Sequence, residues 1–192
     1  MRFHFHDGVV AAAILSGLGA CSPDSLSAPD RGALISANRM TGGESVTYQY
    51  VAFPGDEAGA ANGDRIELSG DGTFSLHPKS AISGNGVFTH SNATGTVLAS
   101  GTWTATELLS FQSYGPSPQF PPTFEAGKAV IRIHLSPAGG GPGADAIFTL
   151  GCVLPGGEAD DPGGAFEGIR VAVEGGPNFN RQEERTTIFI RQ

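Results

Sequence analysis

The chain has 192 residues and a formal charge of −8, from 19 acidic and 11 basic side chains. With no basic run, this balance argues against a nucleic-acid partner. The 29 glycines and 13 prolines exclude long helices, while the length suffices for one domain with a real core.

In chain order, the first residues, MRFHFHD, carry one arginine and are followed by an apolar, small-residue stretch over 8–20. That pattern predicts a signal peptide over 1–20; the stretch is too short for a membrane-spanning helix of roughly 20 apolar residues. Residues Leu18-Gly19-Ala20-Cys21 form an aliphatic residue, two small ones and a cysteine. This resembles the lipobox of bacterial lipoproteins. The resemblance implies cleavage before Cys21, a diacylglycerol on its thiol, a fatty acyl group such as palmitate on the new amine, and attachment to a membrane of the cell envelope. Ser22 resembles the outer-membrane class of such proteins. A single acyl chain holds weakly, and two or three together hold firmly. If Cys21 carries lipid, Cys152 has no disulfide partner and the fold depends on its core alone.

Residues 21–43, rich in Pro, Ser, Asp and Gly with no sustained period, read as a lipidated N-terminus and flexible tether. Residues 44–192 then read as one all-β domain. Alternation puts Val46, Tyr48, Tyr50 and Ala52 on one face of 45–53. Residues 64–77 read as a hairpin turning at Asp71-Gly72, with Ile66, Leu68, Phe74 and Leu76 alternating on its arms. Residues 86–90 and 96–114 make a second hairpin over SNATG, with a bulge or bend expected at Gly101; only 105–111 is ambiguous with helix. Four more strands follow. Their aligned residues are Ala129, Ile131, Ile133 and Leu135 in 128–136; Ala146, Phe148, Leu150, Cys152 and Leu154 in 145–154; Ile169, Val171 and Val173 in 166–174; and Ile188 and Ile190 in 185–191. Eight or nine strands with one wet face predict a single antiparallel barrel, or a sandwich. LSGDGTFSL and ASGTWTAT resemble hairpins of small lipocalin-like barrels, though Gly101-Thr102-Trp103 lies mid-chain instead of near the first strand. Arg65, Glu67, Arg132, His134 and Arg170 on the second faces argue against a membrane-spanning barrel.

No metal, phosphate or nucleophile-elbow motif is present, and no cofactor is expected. His77, His90 and His134 are the histidines beyond the signal stretch, and none is near another in sequence. His77 falls at a strand end and His134 on a charged face; His90 shares a face with Phe88 and would line the interior if Phe88 does. Cys152 reads as a core residue. The acidic pairs Asp56-Glu57, Asp160-Asp161 and Glu183-Glu184 read as solvated turns without a calcium-loop pattern. The aromatic residues Trp103, Phe111, Tyr114, Phe120 and Phe124 are the ligand-contacting candidates beside His90. The last four crowd the proline-rich stretch FQSYGPSPQFPPTFEAG, read as a long loop that either closes a barrel mouth or packs its own rings. The sequence thus predicts a lipid-anchored envelope protein whose domain binds a small apolar ligand or an envelope partner without catalysis. A barrel-type isomerase or cyclase and an adhesive surface sandwich are the alternatives.

Overall fold

The computed structural model describes residues 45–77, 82–155, 165–182 and 186–192. The chain divides into two units, 1–41 and 42–192, and all described residues belong to the second. The expectations for the signal peptide, Cys21, the tether and the pairs Asp160-Asp161 and Glu183-Glu184 lie outside the described residues.

The described residues form ten strands: β1 (Thr47–Ala52), β2 (Glu57–Ala60), β3 (Arg65–Ser75), β4 (Ile82–Ser91), β5 (Val97–Pro116), β6 (Phe124–Pro137), β7 (Ala144–Cys152), β8 (Gly168–Val173), β9 (Asn178–Gln182) and β10 (Thr187–Arg191). Every pairing is antiparallel, and all ten strands belong to one sheet. From β2 each strand pairs with the next through to β9, and β9 pairs back with β2, so the hydrogen-bonded path closes into a ring. This is the all-β antiparallel architecture the alternation predicts. A single closed sheet, not two facing sheets, accounts for the pairing.

Ten strands replace the expected eight or nine because two strands are interrupted. β1 and β2 both pair with β3, on either side of a break at 53–56. β9 and β10 pair with β2 and β1 in the same way. Side chains replace the lost ladder at these breaks. Glu67 Oε1 accepts the Gly55 N–H at 2.7 Å, and Asp56 Oδ2 accepts that of Phe53 at 3.0 Å. Glu167 accepts the Val153 N–H at 2.6 Å and the Thr187 N–H at 2.8 Å, while the Thr187 hydroxyl donates to the Gly151 carbonyl.

The inward faces agree with the alternation in most strands. Tyr48, Tyr50, Ala52, Ile66, Leu68, Ile131, Ile133, Phe148, Leu150, Cys152, Ile169 and Val171 are all buried. Three expectations need correction. The Asp71-Gly72 hairpin does not exist: both residues lie inside continuous β3, Asp71 opposite Asn85 and Gly72 opposite Gly84. Gly101 is regularly paired, with Phe88 on one side and Pro137 on the other; β5 instead bulges between Ala105 and Glu107, Leu108 and Ser110, and Ser113 and Gly115. These bulges break the period-two alternation, which is why 105–111 reads as ambiguous with helix. In β10, Thr187 and Phe189 point inward, and Ile188 and Ile190 are the half-buried outer face.

The glycines of β3 and β4 make room for two large rings. Gly70 faces Gly86 across the pair, and Gly72 faces Gly84. A Cβ at Gly84 would overlap the Tyr50 hydroxyl, and one at Gly70 would lie 2.8 Å from Trp103 Cζ2. Tyr50 and Trp103 therefore lie across bare backbone and fill the middle of the ring. Trp103 Nε1 donates to the Ser69 carbonyl at 3.1 Å, and its ring packs on Phe148 at 5.5 Å. An eight-strand circuit is just wide enough for side chains to fill, and its centre is filled here.

Candidate functional site

The filled centre separates two ends, and the candidate residues divide between them. One end gathers the start of β3, the end of β4, the start of β5 and the end of β6. Period-two alternation along β4 carries Gly84, Gly86, Phe88 and His90 inward in succession. Phe88 is buried, so His90 faces the interior, as their shared face requires. The turn between β2 and β3 brings in a partner. The Ala60 N–H bonds the Asp64 carbonyl at 2.7 Å, and the Asp64 N–H bonds Asn62 Oδ1 at 3.1 Å, which holds Asp64 just before β3.

There His90 Nε2 and Asp64 Oδ2 are 3.2 Å apart, with side chains 20% and 15% exposed. A carboxylate accepts only, so Nε2 carries the hydrogen toward Asp64 and a neutral His90 keeps Nδ1 as an acceptor. The imidazole also meets the Phe179 ring edge-on at 5.3 Å. Beside this pair lies a cavity of about 150 Å³ lined by Ile66, Phe88, Ala99, Leu135 and Phe179, among others, in which His90 is the only polar side chain.

The other end is polar and aromatic but packed. Phe111 sits between Tyr48, Phe74 and Phe189, at ring distances of 4.6, 4.9 and 5.2 Å. Buried Glu125 accepts the Tyr48 hydroxyl at 2.9 Å and that of Ser113 at 2.6 Å, with the Arg191 guanidinium at 3.6 Å. Burial, reinforced by the hydrogen bond to Glu125, pushes the Tyr48 phenol up to about 12. Burial also raises the phenols of Tyr50 and Tyr114.

Of the six candidates, His90 alone lines the cavity. Trp103 is wholly buried in the central filling. Phe111 and Tyr114 belong to β5, which runs to Pro116, so the expected long loop shrinks to 117–123. Phe124 begins β6 and packs partly against the core, while Phe120 is exposed on the short loop. That loop is fastened by Ser117, whose hydroxyl donates to the Pro155 carbonyl at 2.6 Å. His134 is exposed and 2.7 Å from Asp145, and His77 is exposed just after β3. Burial, with the nearby Glu167 carboxylate, pushes the Cys152 thiol up to about 12, which suits a packed residue better than a nucleophile.

No family model, curated protein or solved structure matches this chain. Among the described residues, no three His, Cys, Asp or Glu side chains converge as metal ligands would, and His90 faces a half-open space whose other lining is apolar. Sequence reasoning missed Asp64, which stands 26 positions from its histidine, and missed Phe179, which lies on the unrecognised β9.

Proposed function

We propose that this is a lipid-anchored protein of the bacterial cell envelope, held through Cys21 at the outer membrane, whose closed sheet binds a small apolar ligand at its His90 end without transforming it. The supporting observation is the cavity of about 150 Å³ with one polar side chain in an otherwise apolar lining. Cavities of about this volume admit a benzene-sized molecule, while drug-sized ligands need roughly 300–1,000 Å³. The fitting ligand is a single ring or short branched chain with at most one hydrogen-bonding group, directed at His90.

Calorimetric titration with benzene and with phenol tests this reading. Both are expected to bind, phenol more tightly. Ala144→Leu, which fills the cavity from its lining, should abolish binding of both while leaving the fold intact. No binding of either probe to the native chain would overturn the ligand reading. Fatty-acid labelling of the expressed protein tests the anchor, with loss of label in Cys21→Ser as the expected result.

One observation favours a second reading. A histidine oriented by a carboxylate beside an apolar cavity is the arrangement of a general base, which an isomerase or cyclase would use. The non-catalytic reading ranks above it because no other titratable or nucleophilic side chain joins His90 in the lining. An activity on a small cyclic substrate that His90→Gln abolishes, while benzene still binds, would reverse that order.

A further inference from the structure

The outer surface of the ring is not uniformly polar. β3 turns Arg65, Glu67 and Asp71 outward, and β6 turns Lys128 and Arg132 outward. Between them β4 and β5 carry a single charged side chain, Glu107, which pairs with Arg132 at 3.2 Å. Over the stretch where they run side by side, 82–91 and 97–104, the outward positions are Ser, Thr and Asn, interrupted by Val87, Val97 and Leu98, which are 56%, 58% and 55% exposed. These are three of the five large hydrophobic residues that are exposed among the described residues. Charged residues occur about once in six positions over the whole chain. An uncharged stripe two strands wide is thus a distinct surface on an acidic protein.

We propose that this β4–β5 face lies against the lipid bilayer that holds the anchor. The inference rests on lipidation at Cys21, and three considerations select lipid as the occupant. First, 26 positions separate Cys21 from Thr47, where β1 begins. A chain of that length can span at most roughly 86–94 Å, so its length does not restrict which side of the domain meets the membrane. Second, covalent attachment through Cys21 would make the contact intramolecular, so three shallow apolar side chains suffice. Third, a net charge of −8 is repelled by anionic headgroups, and this face offers them no carboxylate free of a cation. The same two strands turn Phe88, His90 and Ala99 into the cavity.

The test couples the chain from Cys21 to Gln192 through its Cys21 thiol to maleimide lipid in phosphatidylcholine vesicles carrying brominated acyl chains; Cys152 is buried and does not compete. Leu98→Trp reports on the proposed face and Ala172→Trp on the β8 side, while native Trp103, wholly buried, supplies a constant background. The expected result is at least twofold stronger quenching, with a blue shift, at position 98, and its loss when Val97→Glu is added. Equal quenching at both positions, or burial of position 98 in a dimer seen by sedimentation, would overturn the inference. Because the coupling is chemical, this outcome is independent of whether cells lipidate Cys21; absence of fatty-acid label in vivo would instead refute the anchor.

Discussion

At the scale of single residues, the large rings and the glycines that admit them determine what the interior can hold. Tyr50 needs bare backbone at Gly84 and donates to the Ser83 carbonyl at 3.2 Å. Gly84→Ala should destabilise the fold by about 1–3 kcal/mol through overpacking. Tyr50→Phe should recover part of that loss, because the hydroxyl is the group the new methyl meets. A double-mutant cycle by urea denaturation measures the coupling; strict additivity would show that the clash is relieved elsewhere. Glu125 gives a second residue-scale prediction. Glu125→Ala removes the shared acceptor of Tyr48 and Ser113 and should cost about 2–3 kcal/mol, read from the same denaturation curves. His90 was legible in the sequence because alternation ties it to Phe88. Asp64 was not, since closure of the β2–β3 turn, and no local period, brings it to the imidazole.

At the scale of elements, the sequence pattern reads well where apolar residues alternate and fails where backbone or polar side chains do the structural work. β6 and β7 match their expected faces residue for residue. Asp71-Gly72 carries the local chemistry of a turn, yet ring packing against Gly72 and Gly84 keeps β3 straight, so tertiary contact overrides the dipeptide. β2 reads Glu-Ala-Gly-Ala and escapes notice because none of its residues favours strands intrinsically. β10 has two outward isoleucines that outweigh inward Thr187 and Phe189 in any hydrophobicity count. Where β9 gives way to β10, Glu167 supplies acceptors in place of the ladder, and burial raises its pKa above the ordinary 4.5. The folded chain therefore holds this proton more tightly than the unfolded chain does. Stability from this group is fullest at acid pH and declines as pH rises through the folded pKa. Urea midpoints measured from pH 4 to 8 should fall less steeply in Glu167→Gln than in the native chain. Identical slopes would remove Glu167 from the pH response.

At the scale of the whole molecule, closure leaves no central channel. The rings of Tyr50, Trp103 and Phe148 divide the interior, so a half-open apolar pocket survives at the His90 end while the Glu125 end is fastened by hydrogen bonds. The buried Cys152 thiol follows from the same packing: a thiol reagent should leave it unmodified in the folded chain and label it stoichiometrically in denaturant, and rapid labelling of the folded chain would indicate a looser interior. The all-β class and most inward faces were legible because they depend on alternation, whereas the cavity depends on which side chains fail to fill a closed sheet, a property of the assembled ring. The most direct test of the central claim is methyl NMR of the domain during titration with phenol. Binding at the His90 end predicts saturable shifts of the Ile66, Leu135 and Val173 methyls, with those of Ile131 and Leu150 unmoved. Shifts spread over the whole core, or none at saturating phenol, would contradict it.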